Sequence, residues 1–311
     1  SIPPSATPPA STFNSDSITA PANAPSSERA VSSGINTQLL SALESGAVSK
    51  LAPVVTELLG VSKPSSAVDP VEIPEDAQRE ASQQEQDVLA LFAAYSGAAY
   101  TVTDSWNCPY ACQYPGTQGT IVEHHWNTGF PSSAGYIARN PNGRFLVVAF
   151  QGTDDISQWA DNLNIAQTAW PTAIPGSRVH EGFLRGYTSV QDDVIGRLGS
   201  LASRYPDHSI AIVGHSLGGA RAALCLVDVS IKLPALLPRV HLYTQGQPRT
   251  GNRAFADAVD ALSVTKYREV YEYDAATRLP PTSLGYHHHS TETWYHRNET
   301  LLCVKPIADD G

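Results

Sequence analysis

The segment around Ser216 constrains the fold more than any other part of the sequence. It follows the pattern Gly-x-Ser-x-Gly from Gly214 to Gly218, with an apolar run before it (208–213) and another after it (219–232). The first run predicts a buried strand and the second predicts a helix. A serine on a sharp turn between a strand and a helix is the arrangement that exposes a nucleophile at the edge of a sheet. The alternative is a glycine-rich turn that carries a solvated serine.

The segments on either side of this turn predict an α/β fold. Helical patterns cover 76–99, 181–205, 219–232 and 252–262, and buried strands are predicted at 145–150, 208–213, 240–244 and 267–273. Buried strands that alternate with helices are typical of a mostly parallel sheet covered on both faces. The sequence therefore predicts one α/β domain over residues 76–311.

Residues 1–75 differ in composition from the rest of the chain. The first 34 residues are dominated by Ser, Pro and Ala, and they cannot bury enough apolar surface to offset the entropy of ordering. Residues 35–59 carry apolar residues mostly at helical spacing, interrupted by Gly46 and Pro53, which predicts two short amphipathic helices. Residues 60–75 form a linker. We interpret the whole as a propeptide, and the alternative is a helical hairpin that packs on the main domain.

Composition and charge exclude several classes of function. Hydrophobic residues make up 41% of the chain, which is enough for a core. The net charge of −10 repels phosphate backbones, so nucleic acid is not an expected partner. No apolar run reaches the length of a membrane span. The first residues do not have the pattern of a signal peptide, so the chain either never had one or has lost it.

The four cysteines have different expected roles. Cys108 and Cys112 are close enough to bridge a tight loop, although such a pair can also be half of a metal site. Cys225 lies in an apolar run and is expected to be a buried free thiol. Cys303 is left without a partner. The glycosylation sequon at Asn298 fits a secreted protein.

A nucleophilic serine requires a general base and a carboxylate that orients the base. In α/β-hydrolases the chain order is serine, acid, histidine. Asp274 is the best acid after Ser216, because it ends a predicted strand at the carboxyl edge of the sheet. The alternative is a solvated aspartate that caps a turn. Asp257 and Asp260 lie in a predicted helix and are expected to be surface charges.

From about residue 76 onward, the chain resembles the fungal class 3 lipases of the Rhizomucor type. The matching blocks keep the order and approximate spacing of the family: Phe150-Gln151-Gly152-Thr153, Ile156-Ser157-Gln158-Trp159-Ala160-Asp161, Val179-His180-Glu181-Gly182-Phe183, Gly214-His215-Ser216-Leu217-Gly218-Gly219, Leu242-Tyr243-Thr244-Gln245-Gly246-Gln247-Pro248-Arg249 and Leu279-Pro280-Pro281. The resemblance implies an α/β-hydrolase fold, with a mostly parallel central sheet flanked by helices and a helical lid. It also implies a hydrolase that needs no cofactor.

The resemblance assigns a role to each site residue. It implies that Ser216 is the nucleophile and Asp274 the triad acid. The backbone N–H groups of Thr153 and Leu217 would form the oxyanion hole. The hydroxyl of Thr153 would add a third donor, held in position by the carboxylate of Asp161.

The family also has a short mobile helix, the lid, after the turn that corresponds to Gly152 and Thr153. Here the lid would consist of Asp155, Ile156, Ser157, Gln158, Trp159, Ala160, Asp161 and Asn162. Ile156, Trp159 and Ala160 fall at helical spacing and give one apolar face. Such a stripe is usually part of a core. Because this one directly follows an oxyanion residue, we predict that it packs on the site when closed and contacts lipid when open.

The run His287-His288-His289 could suggest a metal site. Three adjacent residues cannot all face one ion from a strand, and no acidic pair joins them, so no metal is predicted. The resemblance implies that His288 is a structural histidine. It implies that His180 and His215 are packed, hydrogen-bonded histidines outside the triad.

The catalytic histidine is expected outside this sequence. Triad order leaves only the histidines at 287, 288, 289 and 296, which follow Asp274 by at most 22 residues. In the family that interval is a structural stretch, and both the base and the disulfide partner of the cysteine at Cys303 lie further along. We therefore expect a chain nicked near Gly311, whose C-terminal fragment stays bound through Cys303 and supplies the histidine. The alternatives are a truncated, inactive site and His288 as the fallback base.

Together these observations predict a secreted triacylglycerol lipase. It would hydrolyse lipid esters at an oil–water interface by a Ser-His-Asp acyl-enzyme mechanism, and its own propeptide would restrain it. The alternatives are a feruloyl esterase or phospholipase A1 of the same fold, and a catalytically inactive lipid-binding protein. The apolar residues Ile156 and Trp159 favour the lipase over a feruloyl esterase, because feruloyl esterases of this fold carry a more polar lid.

Overall fold

The computed structural model describes residues 78–129, 133–153, 165–290, 292–296 and 299–303. The predictions for the propeptide, the linker, the lid residues 155–162 (Asp161 among them) and the sequon at Asn298 lie outside the described residues.

The described residues form strands and α-helices that alternate through the middle of the chain. The helices are α1 (Gln83–Ala98), α2 (Glu181–Thr188), α3 (Gln191–Arg204), α4 (Leu217–Lys232) and α5 (Arg253–Asp260). The strands are β1 (Gln78–Glu80), β2 (Ile121–Asn127), β3 (Ala134–Asn140), β4 (Phe145–Phe150), β5 (Gln167–Ala169), β6 (Arg178–His180), β7 (Ser209–His215), β8 (Val240–Gln245), β9 (Thr265–Tyr271), β10 (Glu292–His296) and β11 (Glu299–Cys303). No helix in this part of the chain combines the length and hydropathy of a membrane span.

Among the described residues, nine strands form one sheet in the order β1-β11-β10-β9-β8-β7-β4-β3-β2. The pairs from β10 through β9, β8 and β7 to β4 are parallel. The outer pairs on both sides are antiparallel. Strands β5 and β6 form a separate antiparallel pair. The mostly parallel sheet with flanking helices confirms the predicted fold class.

Both faces of the central strands are buried. Leu146, Val148, Ile210 and Ile212 belong to one core cluster, which includes the buried side of α4. The residues between them on the same strands, such as Val147 and Val213, point to the other face and belong to a second cluster that packs on α1. Side chains of a strand point alternately to the two faces, so a strand covered on both sides is continuously apolar. This explains why the strand 145–150 could be predicted at its observed bounds.

The first helix begins later than predicted because an unpredicted strand precedes it. The backbone N–H of Ser82 donates to Glu85 Oε2 (2.9 Å), and the Ser82 hydroxyl accepts from the N–H of Glu85 (3.3 Å). This reciprocal cap starts α1 at Gln83. Arg79 also binds the carboxylate of Glu85 and is the main reason that the pKa of Glu85 falls to about 2. Residues 78–80 pair with β11 instead of joining the helix.

The long helix predicted over 181–205 is two helices. Helix α2 ends at Thr188, and α3 begins at Gln191 after Val190, whose backbone is not helical. Val190 buries its side chain in the core at this break. The apolar spacing continues across the break, so periodicity alone could not reveal it.

The cysteines described by the structure agree with two predictions. Cys108 and Cys112 form a disulfide in the loop after α1. Cys225 is a buried free thiol in α4. Cys303 is also buried, in β11, and it has no disulfide partner among the described residues.

The packing of β3 against β4 predicts the effect of one glycine substitution. A Cβ added at Gly135 would lie 2.1 Å from the backbone oxygen of Ala149 and 2.5 Å from the Trp126 ring. Because the backbone must shift, we expect Gly135→Ala to lower the free energy of unfolding by about 1–3 kcal/mol in urea titrations. Gly196 lies on the exposed side of α3 with open space around it. Gly196→Ala is the control and should raise stability by about 0.5–1 kcal/mol. Equal stability of the two variants would contradict this account.

Candidate active site

The turn at Ser216 has the geometry that the sequence pattern predicts. Ser216 lies between β7 and α4 with φ 54° and ψ −126°, a left-handed backbone conformation that residues other than glycine rarely adopt. A Cβ at Gly214 would lie 2.3 Å from the backbone of Gly218, and a Cβ at Gly218 would lie 2.1 Å from the carbonyl oxygen of Phe150. Both glycines are therefore required for the strand and the helix to approach this closely.

The backbone holds Ser216 on both sides of the turn. The N–H of Ser216 donates to the carbonyl of Gln245 (2.8 Å), and the N–H of Gly219 donates to the carbonyl of Ser216 (2.9 Å). The side chain is buried, with the residue 1% exposed, and Ser216 Oγ has no hydrogen-bond partner among the described residues. Leu217 is the first residue of α4, so its N–H has no partner within the helix and lies at the positive end of the helix dipole.

The segment after β4 passes directly against this turn. A Cβ at Gly152 would lie 2.6 Å from the carbonyl oxygen of His215 and 3.3 Å from Ser216 Cβ. Only a glycine can bring the backbone this close. Thr153 directly follows this contact in the chain. Its proposed partner Asp161 lies outside the described residues.

Asp274 lies three residues beyond the end of β9. The predicted strand 267–273 ends early, at Tyr271, because Glu272 has a positive φ of 45° and turns the chain. Asp274 Oδ1 accepts from the N–H of Ala276 (2.9 Å) and so caps the single turn Ala275–Arg278. Burial raises the pKa of Asp274, and the hydrogen bond from Ala276 opposes that shift.

Gly246 brings Asp274 and the serine turn together. It follows β8 with a positive φ of 58°, and a Cβ there would lie 2.9 Å from Asp274 Oδ2 and 3.8 Å from His215 Nε2. The backbone carbonyl of the preceding residue, Gln245, accepts a hydrogen bond from the N–H of Ser216. Ser216 and Asp274 therefore lie on either side of the Gln245–Gly246 backbone, at the carboxyl edge of the parallel strands.

Two histidines are packed and hydrogen-bonded, as the resemblance implied. His215 Nδ1 lies 2.7 Å from the hydroxyl of Tyr100, and burial lowers the pKa of His215 to about 4. His180 caps α2, because its Nδ1 accepts from the N–H groups of Gly182 (3.1 Å) and Phe183 (3.2 Å). Burial also lowers the pKa of His180 to about 4. Both imidazoles are therefore neutral near neutral pH.

His288 has the contacts of a structural histidine. Its Nε2 donates to the carbonyl of Thr277 (2.6 Å), so this nitrogen carries the proton. Burial is the main cause that lowers the pKa of His288 well below its usual value. Within the described residues, no histidine hydrogen-bonds to Ser216 Oγ, and no group of three or more acidic, histidine or cysteine side chains is arranged to hold a metal ion.

The structure adds polar residues that the sequence analysis did not identify. Gln245 Nε2 donates to Glu269 Oε1 (2.6 Å), and the hydroxyl of Tyr295 donates to Glu269 Oε2 (2.6 Å). Glu269 is 4% exposed, and burial raises its pKa to about 7. The one signal in the sequence was an acidic residue inside a strand predicted to be buried. No motif connects it to Gln245 or Tyr295.

The contact between Tyr100 and His215 predicts a loss of stability. Tyr100→Phe removes the hydroxyl and leaves a buried imidazole nitrogen without this partner. We expect the free energy of unfolding to fall by about 1–3 kcal/mol in denaturant titrations. The control is Tyr110→Phe, since Tyr110 is 60% exposed, and this change should stay within about 0.5 kcal/mol of wild type. A loss no larger than that of the control would contradict the hydrogen bond.

Comparison of the sequence with known proteins identifies lipases among its relatives. The family model for class 3 lipases matches residues 147–284. The lipase of Rhizomucor miehei is 31% identical over 258 residues, which cover 80% of this chain and 70% of that protein. The secreted mono- and diacylglycerol lipase A of Penicillium cyclopium is 29% identical and covers 70% of this chain and 72% of its own length. The chain spans about half (53%) of the lipase of Rhizopus oryzae.

Comparison of the fold with solved structures also identifies lipases. The native Rhizomucor miehei lipase–propeptide complex superimposes with a TM-score of 0.71 at 28% identity, covering 82% of this chain and 85% of that one. A triacylglycerol lipase whose catalytic centre is a serine protease triad gives a TM-score of 0.70 at 31% identity, covering 74% and 88%. With its serine turn and parallel sheet, the chain belongs to the class 3 lipases.

Proposed function

We propose that this protein is a triacylglycerol lipase in which Ser216 is the nucleophile and Asp274 is the triad acid. The observation that carries the proposal is the strained turn at Ser216, with Gly152 packed against it and Asp274 across Gly246. A buried serine on a positive-φ turn at a helix N-terminus is positioned for acyl transfer. The serine protease triad of the similar triacylglycerol lipase supports the same roles here.

The proposed reaction begins when Ser216 Oγ attacks the ester carbonyl and a general base takes the serine proton. The N–H groups of Leu217 and Thr153 donate to the oxyanion that develops on the carbonyl oxygen. The base then protonates the leaving alcohol, which leaves an acyl-enzyme. Water, deprotonated by the same base, hydrolyses the acyl-enzyme and restores Ser216. Asp274 orients the base and stabilises its protonated form.

We further propose that the base is a histidine from a segment outside the described residues. Two observations support this. Ser216 Oγ has no hydrogen-bond partner among the described residues, and the Nε2–H group of His288 already donates a hydrogen bond to the carbonyl of Thr277. The segment would be held by a disulfide to Cys303, which is buried without a disulfide partner in the described part of the chain. Intact-mass measurement of the natural protein before and after reduction tests this. A covalently joined histidine segment is expected, and full activity without one would contradict it.

The proposed substrate is a triacylglycerol at an oil–water interface, and the proposed location is extracellular. The disulfide Cys108–Cys112 and the relative named as a secreted lipase support secretion. That relative is named for mono- and diacylglycerols, so the acyl count of the substrate is a direct test. Tri-, di- and monoacylglycerol are offered as emulsions of equal concentration, and the release of fatty acid is measured from each. We expect hydrolysis of the triacylglycerol. Hydrolysis of the partial glycerides alone would contradict the proposed substrate.

The nucleophile predicts the effect of one substitution. Ser216→Ala removes the attacking hydroxyl from a turn that glycines and backbone hydrogen bonds hold in place, so folding should be kept. We expect the rate of ester hydrolysis to fall about 10⁴-fold, measured on a soluble short-chain ester, with an unchanged thermal unfolding curve. An organophosphonate should label the wild type and not the variant. A decrease of less than about a hundredfold would show that another group is the nucleophile.

The segment 1–75 predicts a change in interfacial activity on cleavage. We propose that its amphipathic part, residues 35–59, covers the apolar lid or acyl groove, and the known lipase–propeptide complex supports this. A protease site placed in the linker 60–75 should give a protein whose activity on emulsions rises after cleavage. Protein without the engineered site, treated with the same protease, is the control. Equal activity before and after cleavage would refute inhibition by the propeptide.

A further inference from the structure

Glu269 is a buried carboxylate that the proposed mechanism does not use. It lies in β9 at the carboxyl end of the parallel strands, paired in register with Gln245 of β8. It is 4% exposed, and its two side-chain oxygens accept separate hydrogen bonds of 2.6 Å from Gln245 and Tyr295. The three side chains therefore connect three adjacent strands, β8, β9 and β10.

The backbone of these residues reaches both proposed triad members. The carbonyl of Gln245 accepts the N–H of Ser216 (2.8 Å). The carbonyl of Glu269 accepts the N–H of Gly246 (2.9 Å), the residue packed against the Asp274 carboxylate. The carbonyl of Tyr295 accepts the N–H of Glu272 (2.9 Å), two residues before Asp274. A shift of any of the three strands would move Ser216 relative to Asp274.

We propose that Glu269, in its ionised form, is a positioning residue that fixes the distance between Ser216 and Asp274 by holding Gln245 and Tyr295. The proposal rests on the proposed function of Ser216 and Asp274. Ionisation matters because both contacts have the carboxylate as acceptor, and hydrogen bonds to a charged acceptor are stronger than neutral ones. A protonated carboxyl group would accept from Gln245 with one oxygen and donate to the Tyr295 hydroxyl with the other, so both hydrogen bonds would be neutral and weaker.

A merely structural role would not require the charge. Burial raises the pKa of Glu269 to about 7, while the hydrogen bonds from Tyr295 and Gln245 oppose the shift. Among the described residues, two phenols face Glu269, those of Tyr243 and Tyr295. Burial is the main cause that raises the pKa of both, and the charge of Glu269 adds to the shift. A carboxyl group with a raised pKa in the folded state contributes its stability below the unfolded pKa and loses it as pH rises through about 7. The ionised form therefore costs stability at the pH where we propose that it acts.

The test compares wild type with Glu269→Gln in the full-length natural protein, using kcat/KM on the soluble ester p-nitrophenyl butyrate. The glutamine keeps the shape, can still accept from Gln245 and can donate to the Tyr295 oxygen, so only the charge is lost. We expect wild type to exceed the variant by about tenfold at pH 8. The two should converge to within about twofold at pH 5.5, where Glu269 is itself protonated. The ratio cancels the titration of any group that both proteins share, such as the catalytic base.

A second variant tests the same contact from the other side. Tyr295→Phe removes a hydrogen bond that lowers the pKa of Glu269. The pH below which kcat/KM of this variant falls should therefore be higher than the corresponding pH of wild type. The control is Asp228→Asn. Asp228 is another buried carboxylate that accepts from a tyrosine, Tyr187 (2.8 Å), but it lies in α4 on the opposite face of the sheet. Its activity ratio to wild type should not change between pH 5.5 and pH 8.

Stability gives an independent readout. The melting temperature of Glu269→Gln relative to wild type should increase from pH 5 to pH 8, because only wild type then buries a charge. A ratio of activities that stays within twofold at pH 8, or that is the same at every pH, would overturn the positioning role. A relative melting temperature that does not change with pH would overturn the ionisation. Failure of the wild type to hydrolyse any ester would instead contradict the proposed function, and the melting comparison would still decide whether Glu269 ionises near pH 7.

Discussion

The close approach of β7 and α4 at Ser216 is the constraint on which the arrangement of the site depends. Ser216 has a positive φ, and a side chain at Gly214 or Gly218 would overlap backbone atoms of the turn or of β4. Strain of this kind persists only where the surrounding structure determines it. Here a buried parallel strand on one side and a buried helix on the other hold the turn. The three glycines at 152, 214 and 218 therefore serve one purpose, which is to let three backbone segments meet at one serine.

The face of the sheet that packs on α1 carries polar groups at its carboxyl edge. Tyr100 and His215 form one hydrogen-bonded pair, and Gln245, Glu269 and Tyr295 form a group across the next strands. Buried polar groups cost free energy unless they are hydrogen-bonded, so their concentration at this edge needs an explanation. The opposite face, which carries α4, also buries polar groups at this edge, where the Thr244 hydroxyl donates to Gln247 Oε1 (2.7 Å). Glu269 and its two partners join three adjacent strands, which is the reason we assign a positioning role to Glu269.

The strands at the two sides of the sheet do not form the serine turn, but they complete the fold around it. Strand β10 places Tyr295 beside Glu269, and β11 covers β10 and pairs with β1. Strand β3 packs against β4 so closely that Gly135 has no room for a side chain. The position of β4 in turn determines where Gly152 meets Ser216. The edges of the sheet therefore support the site through the strands that carry it.

The sequence by itself determined the features that depend on neighbouring residues. The turn at Ser216, the apolar strand 145–150 and the buried thiol of Cys225 each follow from local pattern, because a buried strand is apolar on both faces and a tight turn needs glycine. The resemblance of its sequence blocks to the class 3 lipases suggested the roles that we propose for Thr153 and Asp274. Only the tertiary structure decided the break between α2 and α3, the strands at both sheet edges, and the contacts of Tyr100 and Glu269. Those contacts join residues that are far apart in the chain, and no local pattern can record which buried donor a given carboxylate will meet.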